Sequence, residues 1–297
     1  MEVKLQAVPS RRQRVDLSLA ARIPLNNGVG MPIVGLGVWQ IPAGPATQKA
    51  VRYALDRGYR LIDTAKLYGN EADVGVAVRG SGVPREDVFV TTKLWNSDHG
   101  YGNAIRACEE SLDRMKMDYV DLYLIHWPVR GPRVETWNAL VDLHRAGKCR
   151  AIGVSNYMRG HLEELRGSPV VPAVNQIEFS PFLYQRDVLE YCRQRGIVVE
   201  AYSPLTRGMK LNDRRVRAIG VKYAKSPAQI LLRWGLQRGL VVIPKSARPD
   251  HIRENVNVFD FEIGEEDMRA LDGLGHGLHV SWDPTDAPWR NIPRHHP

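Results

Sequence analysis

Cysteine is scarce, with Cys108, Cys149 and Cys192 the only examples in 297 residues. An odd number at such wide spacing argues against a disulfide framework. Cys108 and Cys192 fall on apolar positions of helix-like stretches, so packed thiols in a reducing compartment are expected. No N-x-S/T glycosylation acceptor occurs. Long apolar runs are missing too, and nothing approaches the roughly 20 residues that span a bilayer. Residues 1–21 contain Arg11, Arg12 and Arg14 but no apolar core of a secretory signal. A cytoplasmic protein without a membrane partner is expected. Metal and hydrolase signatures are also lacking. His144, His161 and His251 have no partners at ligand spacing, and His161-Leu162-Glu163-Glu164-Leu165 is not H-E-x-x-H, so no metal is expected. No G-x-S-x-G elbow is present. Gly35-Leu36-Gly37-Val38-Trp39-Gln40 begins like a dinucleotide fingerprint but carries glutamine in place of the third glycine.

What is present is basic charge and a regular alternation. The formal charge of +8 and pI near 9.5 raise the question of nucleic acid. Arg57, Arg79, Arg145, Arg193 and Arg238 are spread along helices rather than clustered with aromatics, so no nucleic-acid partner is expected. Hydrophobic content of 43% with 25% charged residues is that of an ordinary globular chain. Residues 1–22 read as an N-terminal extension, disordered or an extended arm, and residues 23–297 as a single domain with a C-terminal tail over its active face. Asn27-Gly28 within residues 23–32 predicts a hairpin, because the pair tolerates positive φ. Eight short apolar runs follow, at 34–37, 60–63, 88–92, 119–126, 149–155, 173–177, 197–202 and 240–243.

Helical periods separate these runs. Ile105, Cys108, Leu112 and Met115 recur at spacings of three and four, as do Val134, Trp137, Val141 and His144. Ser226-Pro227-Ala228-Gln229 predicts a capped helix start. The alternation predicts a (β/α)8 barrel of the TIM type, with an N-terminal hairpin and two extra helices, one between residues 202 and 240 and one near 265–274. A doubly wound sheet is the structural alternative.

In a parallel barrel the C-terminal strand ends converge. Asp63, Lys93 and His126 close apolar runs, and Tyr68 lies on the loop just beyond Asp63. Each has an ordinary reading alone, as a turn, a solvated cation or packed side chains. Together they form a proton-transfer set, with Tyr68 the acid, Lys93 stabilising its phenolate, Asp63 holding Lys93, and His126 aligning a carbonyl. Trp39, Trp95 and Trp127 fall on the same face, with Trp282 or Trp289 of the tail closing it. Such aromatic walls suit flat or apolar carbonyl compounds. Lys245, Ser246 and Arg248 precede a helix opened by Pro249-Asp250. By themselves they fit either a phosphate seat or an ordinary strand–helix loop with exposed charges.

The run Asp63-Thr64-Ala65-Lys66-Leu67-Tyr68-Gly69-Asn70-Glu71, with Thr91-Thr92-Lys93-Leu94-Trp95, Leu124-Ile125-His126-Trp127-Pro128, Gly153-Val154-Ser155-Asn156-Tyr157 and Ile243-Pro244-Lys245-Ser246, resembles the aldo-keto reductase superfamily. The resemblance extends over about residues 23–275 and is nearest to prokaryotic members that include 2,5-diketogluconate reductases. It implies NADPH-dependent reduction of aldehydes and ketones, a small-molecule carbonyl substrate and a monomer. Lys245, Ser246 and Arg248 would grip the 2′-phosphate, with Glu254 and Asn255 near the adenine. Ser155, Asn156 and Gln176 would hold the nicotinamide carboxamide, Tyr202 would stack on its ring, and Ser203 and Leu205 would lie along the pyrophosphate. His251 departs from the arginine of many NADPH-preferring members. Histidine is shorter and lacks a permanent charge, so a reduced preference over NADH is expected. The alternative is a non-catalytic NADPH-binding module on the same fold.

Overall fold

A computed structural model describes residues 17–285. Most of the expected N-terminal extension, and Trp289, lie outside them. Strands β1 (Arg22–Pro24) and β2 (Gly30–Pro32) pair antiparallel. Leu25 N–H donates to Val29 O and Gly28 N–H to Leu25 O, and Gly28 alone in this turn has positive φ, at 85°. The hairpin therefore closes through a turn plus one left-handed glycine, and Asn27 needs no positive φ.

The barrel runs through β3 (Leu36–Gly37), α1 (Pro45–Asp56), β4 (Leu61–Asp63), α2 (Glu71–Arg79), β5 (Phe89–Leu94), α3 (Tyr101–Met115), β6 (Val120–Ile125) and α4 (Arg133–Arg145). It continues through β7 (Cys149–Ser155), α5 (Arg159–Glu164), β8 (Val174–Glu178), α6 (Arg186–Gln194), β9 (Val198–Tyr202), α7 (Arg214–Tyr223), α8 (Pro227–Gln237), β10 (Val241–Val242), α9 (Pro249–Val256) and α10 (Glu265–Asp272). Neighbouring strands from β3 to β10 pair in parallel. The ring closes where Val34 bridges Val242 and Gly37 bridges Lys245. A Cβ on Gly35 would stand 2.4 Å from Leu61 Cγ, and one on Gly37 3.0 Å from Ile243 O. Those glycines serve the closing seam, which explains the incomplete dinucleotide fingerprint. The eight strands and two extra helices (α7 and α10) match the expected architecture; the doubly wound sheet does not form.

Alternation along the strands sorts the core. Leu61, Phe89, Leu122, Val174, Val198 and Val241 pack inside the barrel with Leu25 and Met31 of the hairpin, which plugs one mouth. Ile62, Val90, Tyr123, Ile152 and Ile177 face outward to the helices. On α3, Cys108, Leu112 and Met115 are buried as their spacing predicts. On α4 the packed stripe is Trp137, Leu140 and Val141, whereas Val134, in the first turn, is 47% exposed. The capping box forms at α8, with Gln229 N–H donating to Ser226 Oγ (3.3 Å) and Ser226 N–H to Gln229 Oε1 (3.0 Å). All three thiols are free and buried, and the fold brings Cys108 and Cys149 to 3.8 Å although 41 residues separate them. Among the described residues no helix is long and apolar enough to cross a membrane.

Candidate active site

Asp63 ends β4, Lys93 is the penultimate residue of β5, and His126 directly follows β6. Tyr68 ends the 3-10 turn Lys66–Tyr68. That turn is anchored by buried Asn70, whose Nδ2 donates to Val38 O (3.1 Å) and Ile41 O (3.2 Å) while its Oδ1 accepts from Thr64 Oγ1 (2.8 Å). Lys93 Nζ donates to Asp63 Oδ1 (2.7 Å), Thr64 O (2.9 Å) and the Tyr68 oxygen (3.1 Å). Three acceptors around one nitrogen match the three N–H groups of an ammonium. Because Tyr68 accepts from Lys93, its own hydroxyl proton is free for another acceptor.

Electrostatics sharpen these roles. Burial pushes the Asp63 carboxyl up, against the pull of Lys93. Burial pushes Lys93 down, but Asp63 and Tyr68 outweigh it and the net direction is up. The two directions oppose each other as readings of one ion pair. The geometry settles it, because only an ammonium satisfies all three acceptors, so the proton stays on Lys93. Part of the Tyr68 ring reaches the surface, yet its hydroxyl lies within the wall, where burial drives it up to about 12 against the pull of Lys93. Burial pushes His126 well below the usual imidazole value, and Lys93 pushes the same way, so His126 is neutral.

Aromatic rings surround this group. Trp39 lies 4.8 Å from Tyr68 and Trp95 5.3 Å from His126, between ring centroids. Trp127, buried, meets Trp282 of the C-terminal segment at 5.4 Å. The expected carboxamide-binding residues are adjacent and mutually engaged. Ser155 Oγ donates to Gln176 O (2.8 Å), Asn156 Nδ2 to His126 O (3.0 Å), and Tyr202 OH to Asn156 Oδ1 (2.8 Å). Gln176 Nε2 donates to Asp63 Oδ2 (2.8 Å) and Glu200 Oε2 (2.7 Å).

A separate cavity of about 390 Å³ is lined by Leu205, Lys245, Ser246, His251, Glu254 and Asn255, and by none of the proton-transfer set. Lys245 and Ser246 precede α9, whose first helical position is Pro249. Cations, a hydroxyl and a helix start in one cavity fit an adenosine phosphate. Arg248 departs from expectation: it is absent from this lining, and its Nη2 pairs with Asp250 Oδ2 at 2.7 Å on the exposed surface. Ser203 adopts positive φ (48°) just past β9.

Residues 33–276 match the model of the Aldo/keto reductase family. The chain belongs to the aldo/keto reductase family. Glyoxal reductase of Bacillus subtilis (strain 168) is 46% identical over 270 residues, 91% of this chain and 98% of the relative. The 9,11-endoperoxide prostaglandin H2 reductase of Trypanosoma cruzi (strain CL Brener) is 47% identical over 268 residues, 89% of this chain and 95% of the relative. The crystal structure of a Bombyx mori aldo-keto reductase in complex with NADP superposes with a TM-score of 0.82 at 36% identity, covering 88% of this chain and 94% of that one. This aldo/keto reductase is an NAD(P)H-dependent oxidoreductase acting on carbonyl compounds.

The structure also places residues that the sequence reading passed over. Asn212 just before the extra helix α7, Arg217 on it and Ser226 just before α8 line the same cavity, a tertiary arrangement with no local signal. Glu200 did leave a signal, as a lone acid inside the apolar run 197–202. Glu178 accepts the N–H groups of Val280 (2.7 Å) and Ser281 (3.0 Å), tying the C-terminal segment to the end of β8.

Proposed function

We propose that this enzyme reduces aldehydes and ketones with NADPH and that Tyr68 donates the proton to the carbonyl oxygen. The observation that carries this reading is the trio of acceptors at Lys93 Nζ, which leaves the Tyr68 proton pointing away from that ammonium. As charge develops on the substrate oxygen, Tyr68 releases its proton and Lys93 holds the phenolate by the hydrogen bond already present. Asp63 keeps Lys93 charged and in place. Neutral His126 donates an N–H to the same carbonyl and aligns it, a positioning role that its neutrality permits. NADPH, when bound, supplies the hydride.

Lys245, Ser246 and His251, with Arg217 opposite, would hold the adenosine phosphates, and Glu254 and Asn255 the adenine. Ser155, Asn156 and Gln176 would face the carboxamide and Tyr202 the ring. Arg248 would join the phosphate only by leaving Asp250, an exposed pair of small energetic weight. Trp39, Trp95, Trp127 and Trp282 wall the carbonyl pocket. Glyoxal as the substrate of a relative directs attention to α-dicarbonyl compounds, alongside aromatic aldehydes that the tryptophans suit.

The test is NADPH oxidation with methylglyoxal, an aromatic aldehyde, a β-keto ester and a keto sugar acid. Tyr68→Phe should lose about 10²–10⁴-fold in kcat while retaining NADPH binding. Undiminished turnover in that variant would overturn the assignment of Tyr68.

A further inference from the structure

The barrel lumen holds a second carboxylate that the proton-transfer set does not use. Glu200, fully buried on β9, faces inward with Val198 and Tyr202, in register with Gln176 on β8 and Val241 on β10. Gln176 Nε2 bridges Glu200 Oε2 and Asp63 Oδ2 at 2.7 and 2.8 Å. Asp63, ionised against Lys93, can only accept, so the NH2 side of Gln176 faces this pair, and Glu200 Oε2 accepts its second hydrogen as a carboxylate or an acid carbonyl oxygen. Its carbonyl oxygen is thereby the group left for a ligand.

Charge counting constrains the cluster. The titratable groups facing Glu200 are Asp63, Lys93 and Tyr68, while its strand neighbours contribute Gln176 and Val241. One ammonium serves two buried carboxylates, and its direct partner is Asp63. Glu200 Oε1 is buried and receives no hydrogen bond, so an ionised Glu200 would leave one oxygen uncompensated.

We propose that Glu200 is a positioning residue for carbonyl reduction: with Asp63 it clamps the amide of Gln176, and its charge, felt across the cluster at Tyr68, adds to what sets how easily Tyr68 gives up its proton. The inference rests on Tyr68 being the donor. Burial, then the nearby Asp63 charge, drives the Glu200 carboxyl up to about 8, so it is the neutral acid at neutral pH and becomes an anion above that value. The added negative charge makes the Tyr68 phenol a weaker acid. Reduction therefore slows as pH rises through this point.

The experiment is the pH profile of kcat/KM for the carbonyl substrate in wild type, Glu200→Gln and Glu200→Leu. A weaker Tyr68 acid predicts a fall of about threefold in wild type, with its inflection near 8. Glu200→Gln keeps an acceptor for Gln176 and loses the charge, so its profile should be flat there with NADPH affinity unchanged. Glu200→Leu should be flat and also bind NADPH more weakly, because Gln176 is free to turn. An inflection retained in Glu200→Gln, or absent from wild type, overturns the proposal. Infrared difference spectra of wild type and Glu200→Asp across the same pH range give a readout independent of turnover. A buried carboxylic-acid band that vanishes on raising pH and shifts in Glu200→Asp supports the assignment, and its absence overturns it. Should wild type reduce no carbonyl compound, the Tyr68 reading fails separately, and the infrared result still decides the protonation of Glu200.

Discussion

Lys245 and Arg217 bring positive charge to the cavity proposed for the cofactor, and Ser246 and His251 line it with them. A guanidinium at position 251 would present a forked, permanently charged donor where the imidazole offers at most a shorter one. His251→Arg is therefore expected to raise kcat/KM for NADPH by about tenfold, equivalent to about 1.4 kcal/mol, with little change for NADH, which has no 2′-phosphate to grip. Steady-state kinetics with both cofactors check this, and comparable kcat/KM for the two in the variant would contradict the placement of the phosphate. At this scale the residue types of the site were readable because each strand-end polar group interrupts an apolar run. Their partners were less so. Arg248 reads as a phosphate ligand, yet Asp250, two residues on in the first turn of α9, takes the guanidinium. Glu200 reads as a lone acid in a strand, and only the register with Gln176 reveals what it faces.

Elements carry the site through their ends. Helix α7 is capped by Asp213, whose carboxylate accepts from the N–H groups of Arg215 (2.9 Å) and Val216 (3.4 Å), and the same helix brings Arg217 to the cavity proposed for the cofactor. The Arg215 side chain, with these backbone donors, holds the Asp213 carboxyl down to about 2, below its ordinary 3.8. A folded value below the unfolded one stabilises the helix at pH above the unfolded value and is lost as pH falls from 3.8 toward about 2. Asp213→Ala should destabilise the α7 start by about 1 kcal/mol. Because α7 is an addition to the barrel, the loss should show first as faster amide exchange in residues 214–218 and weaker NADPH binding. Asp213→Asn, which keeps a capping oxygen, should remain near wild type at neutral pH and lack the acid-range loss. Equal amide exchange in Asp213→Ala and wild type would refute this role for the cap. Elements such as α8, whose capping box and N1 proline lie within four residues, were legible from sequence because their causes are local. The seam between β3 and β10 was not, since it pairs residues more than 200 positions apart through Val34–Val242 and Gly37–Lys245. Val134 fits the helical period of α4 but ends up exposed, because periodicity gives the stripe and not how far its packing reaches.

At the scale of the whole molecule, segments near the two chain ends attach at the barrel in different ways. The hairpin plugs one mouth with Leu25 and Met31, a permanent apolar contact. The C-terminal segment is held by polar attachments: His276 and Leu278 N–H groups donate to Phe182 O, and Val280 and Ser281 N–H groups to Glu178, at the end of β8. These attachments bring Trp282 against Trp127, so this wall of the proposed carbonyl pocket depends on backbone hydrogen bonds to Glu178 and Phe182. Hydrogen bonds to a charged acceptor contribute about 1.5–3 kcal/mol each, and two of them are lost together when Glu178 is truncated. Glu178→Ala is therefore expected to free the segment and raise KM for an aromatic aldehyde by about tenfold or more, equivalent to at least about 1.4 kcal/mol. For a small substrate such as methylglyoxal, which does not need the Trp282 wall, KM should change far less. The adenosine cavity lies on other elements, so NADPH affinity should move less than the aldehyde KM. Equal effects on both substrates would mean that Glu178 supports the barrel mouth as a whole, and unchanged KM for both would mean that the C-terminal segment is not a wall of the pocket.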